Sequence, residues 1–266
     1  MANNDSKLLR YLNLSDRYER LARFAPGLLT ILVFAPAAFY LSIPILGWVA
    51  SILTGIGVGA VFAVGLSQLS SAVGNKYQRQ LFPNWPHDCP TNMRLSPLNS
   101  KCSAQQRKIW CAQIREVTGL DIEAVPLDEV DEVEQIVNDA ITEVRTRLWK
   151  HPQADRLHAQ NTDYGFARNF AGFGPFWLTL STSSFLVCWI AFFIQGGAMG
   201  WPVVSTIVLA GLVFFHFVLG ESFVRAKSEH YGDSLFNSMQ LLIHDDSGNR
   251  SVDSLTNSNN TSEITG

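Results

Sequence analysis

Phe24–Asn75 and Asn169–Gly220 contain no Lys, Arg, Asp or Glu, and each is 52 residues long. A single helix of that length would run about 78 Å, against a hydrocarbon core of about 30 Å. Two crossings of about 20 residues joined by a tight turn fit each stretch far better. The expected fold class is therefore an all-α membrane protein: two transmembrane helical hairpins, four spans in all, with a mainly helical polar domain between them. The spans fall at about 26–46 and 48–72 in the first hairpin, residues 24–75, and at about 175–194 and 202–223 in the second, residues 169–223.

The flanks orient these spans. Arg20, Arg23, Lys76, Arg79, Arg168, Arg225 and Lys227 border span ends on one side, and the turns on the other side carry no Lys or Arg. The positive-inside rule puts both termini and the middle domain, residues 76–168, in the cytoplasm. Residues 1–23 have Leu8, Leu9, Leu12, Tyr18 and Leu21 at helical spacing among bases, the pattern of an amphipathic helix, either at the headgroup level or packed as an ordinary helix. The apolar run starts too late and is too long for a secretory signal. Residues 224–244 continue span four as a cytoplasmic helix, and the Ser/Asn/Thr-rich segment 245–266 is expected to be disordered. Overall charge is only -3, which excludes a global basic field for bulk nucleic-acid binding.

Inside the middle block, charge is segregated. Residues 76–115 carry seven bases and one acid, 116–143 carry ten acids and no base, and 145–168 carry five bases and two acids. Four prolines between 81 and 100 predict a structured loop. Ala104–Val117 reads as a helix with Ile109, Trp110, Ile114 and Val117 on its apolar side. Asp128–Lys150 reads as another, with Val130, Val133, Val137, Ile141, Val144 and Leu148 stepping by threes and fours. Its acids lie at the start and its bases at the end, as the helix dipole favours.

Catalysis has little support, because no GxSxG, HExxH, P-loop or dinucleotide fingerprint is present. The chain is accordingly expected not to be an enzyme and to need no cofactor. His87, Cys89, Cys102 and Cys111 are possible zinc ligands by residue type, but their spacing matches no finger or ribbon, so reduced structural thiols are the simpler reading. No Lys, Arg, Asp or Glu falls mid-span, which argues against proton-coupled transport. The middle block does mix bases with aromatics: Trp85, Arg94, Lys101, Arg107, Lys108, Trp110 and Arg115, then Trp149, Tyr164, Phe166 and Arg168. Rings stack on bases and cations neutralise phosphates, so Trp85, Arg94, Lys101, Arg107, Lys108, Arg115, Tyr164 and Arg168 are candidates for holding a nucleotide or a short single strand. The competing reading makes the tryptophans core, lets Arg168 answer lipid headgroups, and pairs the bases with the acidic block. Within the spans, Gly55 and Gly59 share a helix face suited to close helix contact. Ser67, Gln68, Ser71, Thr179 and Thr182 are candidate pore-lining positions, or alternatively helix–helix hydrogen-bonding ones. Asn161–Gly174 joins the middle domain to span three. Its glycines allow either a movable joint or a rigid elbow.

The layout resembles a group of bacterial four-span proteins with a cytoplasmic insert, the membrane subunits of the Hailong anti-phage defence system. The residues that carry the likeness are Trp85, Pro90-Thr91, Arg94-Leu95, Arg107-Lys108-Ile109-Trp110 and, most specific, the run from Gln160 to Asn169 that reads QNTDYGFARN. Gln160 stands where the pattern has Glu, Arg94-Leu95 is inverted, and His87-Asp88 interrupts the first part. The likeness covers roughly residues 73–180 and the span count. It implies a homotetrameric ion channel of the bacterial inner membrane. Its cytoplasmic part would bind a deoxyadenosine-rich single-stranded DNA oligomer made by a partner nucleotidyltransferase, and loss of that DNA would open it.

Three functions thus compete. The first is an oligomeric ligand-gated channel acting as a defence effector. The second is a non-conducting, membrane-anchored receptor or scaffold that holds a protein partner through its acidic helix. The third, a membrane enzyme, lacks a recognisable nucleophile–base set.

Overall fold

The computed structural model describes residues 17–41, 58–97, 102–126 and 128–262, with side chains described for 17–41, 64–97, 102–126 and 128–244. Among these residues the chain is all-helical, without a strand. The helices are α1 Ala25–Leu32, α2 Ala35–Tyr40, α3 Val58–Leu81, α4 Pro90–Leu95, α5 Ala104–Thr118, α6 Val130–Trp149, α7 Asp155–Gly172, α8 Gly174–Gln195, α9 Gly200–Phe214 and α10 Gly220–Ser262. Short π-helical turns occupy Glu19–Phe24 and Phe215–Leu219, the second making α9 and α10 one continuous helix.

Two helices are long and apolar enough to cross a membrane, Gly174–Gln195 and Gly200–His244. These coincide with the third and fourth expected spans. The first expected span is not one helix. It is broken at Val33–Phe34 into α1 and α2. Pro36 accounts for the break, because it has no amide hydrogen to give to the carbonyl of Leu32, the last residue of α1. Only the later part of the second expected span, within Val58–Leu81, falls in the described region. Gly55 and the preceding turn lie outside it, as does the part of the amphipathic segment before Arg17. The segment 245–262, expected to lack order, continues α10 as helical backbone.

The chain divides into two compact units, one from the described residues of Met1–Leu81 and Asn161–Lys227, the other from those of Phe82–Gln160 and Ser228–Gly266. In the first, Leu66, Phe173 and Trp177 are buried and ringed by Phe24, Leu28, Phe170 and Phe215. Its helices approach closely through glycine. A β-carbon on Gly172 would lie 2.7 Å from the Val73 carbonyl oxygen, and one on Gly165 would lie 2.9 Å from Tyr18 and Ala22. One on Gly74 would overlap the side chain of the fully buried Asn169, whose amide donates to the Ala22 carbonyl at 2.6 Å. At the far end the same unit is clasped by Tyr40, which donates to the Gly196 carbonyl at 2.7 Å, and by Phe39 stacked on Trp201 at 5.3 Å.

The second unit is a small helical core of Leu95, Cys111, Ile114, Val137, Ile141, Val144, Leu148 and Leu157, completed by Leu235, Phe236 and Met239 of α10. This is why residues from Ser228 onward join the middle block. Ser103 caps α5, accepting from the Gln106 amide, and Gly119 closes it in the left-handed conformation at φ 79°. Trp110 stacks on Phe236 at 4.4 Å, so it is core. Ile109 and Val130, placed by their spacing on apolar stripes, are instead exposed. Between residues 81 and 100, where a loop is expected, Pro90 starts the short helix α4 at its first position.

Candidate functional site

The residues singled out for ligand binding fall in both units. Trp85, Arg94, Arg107, Lys108 and Arg115 belong to the second, Tyr164 and Arg168 to the first, and Lys101 lies outside the described residues.

Arg94 is already engaged. Its guanidinium donates to Asp233 at 2.6 Å and to Glu229 at 2.8 Å, and it lies over the Phe236 ring at 6.0 Å, with only 15% of the side chain exposed. A β-carbon on Gly232 would come within 3.4 Å of the same guanidinium, so the glycine makes room for it. Such a clamp fixes α4 to α10 and leaves Arg94 without a face for phosphate. Arg115 pairs with Asp121 at 3.0 Å, but it is two-thirds exposed, and an exposed pair of this kind contributes little. Trp85 is exposed beside Phe82, while Lys108 is exposed and Arg107 half-buried in the second turn of α5. Lys108, Ala112 and Arg115 therefore present a continuous outward face on α5. In the first unit Arg168 donates to Gln78 at 2.6 Å and lies over the buried Tyr164 ring at 5.9 Å, so both serve packing there.

Beneath that outward face of α5 is a cleft of about 430 Å³ lined by Cys111, Ala112, Arg115, Glu116, Asp121 and Glu123. Burial, together with the carboxylates of Glu123 and Asp121, pushes the Cys111 thiol up to about 11. Alkylation of Cys111 in the native protein at pH 8 is therefore expected to run roughly 100-fold slower than for an ordinary thiol, rising tenfold per pH unit. Mass-spectrometric rates for Cys111, with Cys102 followed in the same sample, check this. Cys89 is held differently, bonded to Thr91 and Asn92 at 3.0 Å, and burial raises its thiol too. Among the described residues no three His, Cys, Asp or Glu side chains converge on a metal position. On α6, Asp131, Glu132 and Asp139 are exposed, and a hydrogen bond with the Glu129 carboxyl raises the Glu132 carboxyl.

The pore-lining candidates separate cleanly. Ser67 is buried and donates to Glu19 at 2.9 Å, where Glu19 also pairs with Arg23. Ser67 is thus a structural contact. Ser71 is half-buried and Gln68 exposed. Thr179 and Thr182 are exposed on α8, and the Thr179 hydroxyl is satisfied within its own helix by the Pro175 carbonyl at 2.7 Å. The outward face of α3 runs through Gly65, Gln68, Ala72, Asn75, Lys76 and Arg79, small or polar residues with the exposed Val64 and Leu69 beside them. Outward faces of α8 and α9–α10 differ, being dominated by Leu186, Ile190, Phe193, Ile207, Phe214 and Phe217.

Spacing alone missed Glu229, Asp233 and Phe236, which lie at i, i+4 and i+7 on one face of α10. That run of two acids one turn apart beside an aromatic was the available signal. Comparison with known proteins adds nothing to this geometry: no protein-family model matches the chain, and neither does any curated protein or solved structure.

Proposed function

We propose that the chain is a four-span protein of the bacterial inner membrane that assembles with copies of itself, as a tetramer, into a ligand-controlled ion channel serving anti-phage defence. The observation that carries the membrane part is a hairpin free of Lys, Arg, Asp and Glu whose outward surface is large and apolar. Phe193 is 76% exposed, Ile194 77% and Phe217 75%. Water would penalise that surface, while hydrocarbon accepts it.

Two further features support four crossings. The path from Ala22 to Tyr40 is tied to the α7–α8 segment at three levels: by the Asn169 bond from α7 at one end, by the Ala37 amide on Ser184 of α8 at 3.2 Å midway, and by the Tyr40 clasp on Gly196, just past α8, at the other. Eighteen steps of helical rise from Ala22 to Tyr40 cover about 27 Å, close to the hydrocarbon thickness. The Phe39, Tyr40 and Trp201 end is aromatic, whereas Lys76, Arg79, Arg168, Arg225 and Lys227 gather at the opposite end. That polarity supports a cytoplasmic position for the termini and the middle unit on this reading.

Four spans enclose no pathway alone, so the small, polar face of α3 needs other copies of the chain around a water-filled path. The controlling ligand on this reading is the deoxyadenosine-rich single strand, supplied by a nucleotidyltransferase and held by the second unit, with Lys108, Arg107, Arg115 and Trp85 as the side chains open to it. The chain gates and does not catalyse. Purified oligomer in planar bilayers is expected to conduct, and micromolar oligodeoxyadenylate to close it. Silence with and without oligonucleotide, from correctly assembled protein, would sink this reading.

The exposed acids Asp131, Glu132 and Asp139 favour a second reading, a receptor that captures a basic protein partner. It expects no conductance and a 260-to-280 nm absorbance ratio typical of protein alone.

A further inference from the structure

On the channel reading, the sign of the permeant ion follows from which face of α3 meets the path. Helical spacing puts Gly65, Gln68, Ala72, Asn75, Lys76 and Arg79 on one stripe, with Val64 and Leu69 at its margins and Val61 and Val58 continuing it toward the start of the helix. The opposite face of α3 is spent inside the protomer: Leu66, Ser67, Ser70, Gly74 and Gln78 are all buried. A β-carbon on Gly65 would meet nothing within 4 Å, so the stripe is open at that position. A glutamine at position 68, within the expected span, would carry a desolvation cost if it faced lipid, and water removes that cost.

Charge along the stripe is one-signed. Val58–Leu81 contains Lys76 and Arg79 and no acid. The described carboxylates of this unit are committed elsewhere: Glu19 to Arg23, Asp163 to Lys227 and Glu221 to Arg225. Two other bases nearby are engaged, Arg168 with Gln78 on the inner face and Arg225 with the Leu81 carbonyl and Glu221. Copies of the chain around an axis would therefore turn Lys76 and Arg79 into stacked basic rings at the cytoplasmic mouth, above an uncharged amide at Gln68.

We propose that the outward face of α3 lines the path and makes the channel selective for small inorganic anions, with Lys76 and Arg79 setting that preference. The proposal rests on the channel reading, and its test keeps the two apart. The full-length oligomer in planar bilayers under a tenfold KCl gradient is expected to reverse near the chloride equilibrium potential. The Lys76→Glu/Arg79→Glu pair shifts the reversal toward potassium. Size-exclusion chromatography checks that the charge-reversed pair assembles as the wild type does. In the single variant Gln68→Cys, an anionic methanethiosulfonate reagent reduces the current at least tenfold faster than a cationic one of similar size. A wild-type current reversing at the potassium potential overturns the selectivity. So does a charge-reversed pair that leaves the reversal potential unmoved. A Gln68→Cys current deaf to both reagents removes α3 from the path. The absence of any wild-type current overturns the channel itself.

Discussion

Gly172→Ala is expected to lower the thermal midpoint of the purified protein by several degrees, while Gly211→Ala leaves it unchanged. The two glycines differ in what surrounds them. At Gly172 the added carbon would sit 2.7 Å from the Val73 carbonyl oxygen, 2.8 Å from its carbon and 3.0 Å from the Gly74 Cα, and backbone cannot rotate aside as a side chain can. At Gly211 nothing lies within 4 Å. Relieving such a clash by separating α3 from α7 costs about 1–3 kcal/mol, since overpacked interiors lose about that much. In a chain of this size each kcal/mol moves the midpoint about 2–4 °C. Separation would also strain the Asn169 bond to Ala22, so the loss should exceed that of Asn169→Ser, which removes the amide without forcing the helices apart. Tryptophan fluorescence melts in detergent measure all three. Equal midpoints for Gly172→Ala and Gly211→Ala would show that this crossing is loose.

Arg94→Ala is the second large effect, about 2–3 kcal/mol from breaking a mostly buried charge away from two carboxylates. The figure is set below the full cost of a buried pair because Glu229 and Asp233 are 43% and 55% exposed and water can reach them once the guanidinium is gone. Arg94→Lys should recover only part, since an ammonium cannot reach both carboxylates in the forked geometry or lie flat over Phe236. Adding Glu229→Gln and Asp233→Asn to Arg94→Ala is expected to return roughly half of the loss by removing the like-charge pair one turn apart. Hydrogen exchange across residues 228–244 should quicken in Arg94→Ala and slow again in the triple variant. Protection unchanged by Arg94→Ala would mean that the clamp contributes nothing to holding α4 on α10.

These two sites show where sequence stops being legible. Charge-free length located α8 and the α9–α10 span because hydrocarbon imposes a rule that acts residue by residue. The stripe Val133, Val137, Ile141, Val144 and Leu148 located the buried side of α6 for the same reason: its period belongs to one helix. Arg94 offered no such handle. Alone it resembles a phosphate ligand, and its partners stand about 140 residues away, so only the fold reveals that its charge is taken. Asn161–Gly174 is similar. Its glycines suggested backbone freedom or a rigid elbow, yet Gly165 and Gly172 sit within the regular helix α7, and among the described residues the left-handed backbone belongs to Gly119, Gly196 and Gly197. Smallness serves contact there. The break in the first expected span was signalled by Pro36, but its position depends on the carbonyl that Pro36 cannot serve.

The clasp between Tyr40 and Gly196 joins residues 156 positions apart. On the channel reading, a ribosome delivering this chain into the bilayer would therefore release the segment ending at Tyr40 long before its fastener exists. For that interval only lipid and the neighbouring segment steady it, and the late arrival of Trp201 completes the join. Truncated chains ending before Gly196 should accordingly be prey to membrane quality-control proteases, and chains extending past Trp201 should survive them.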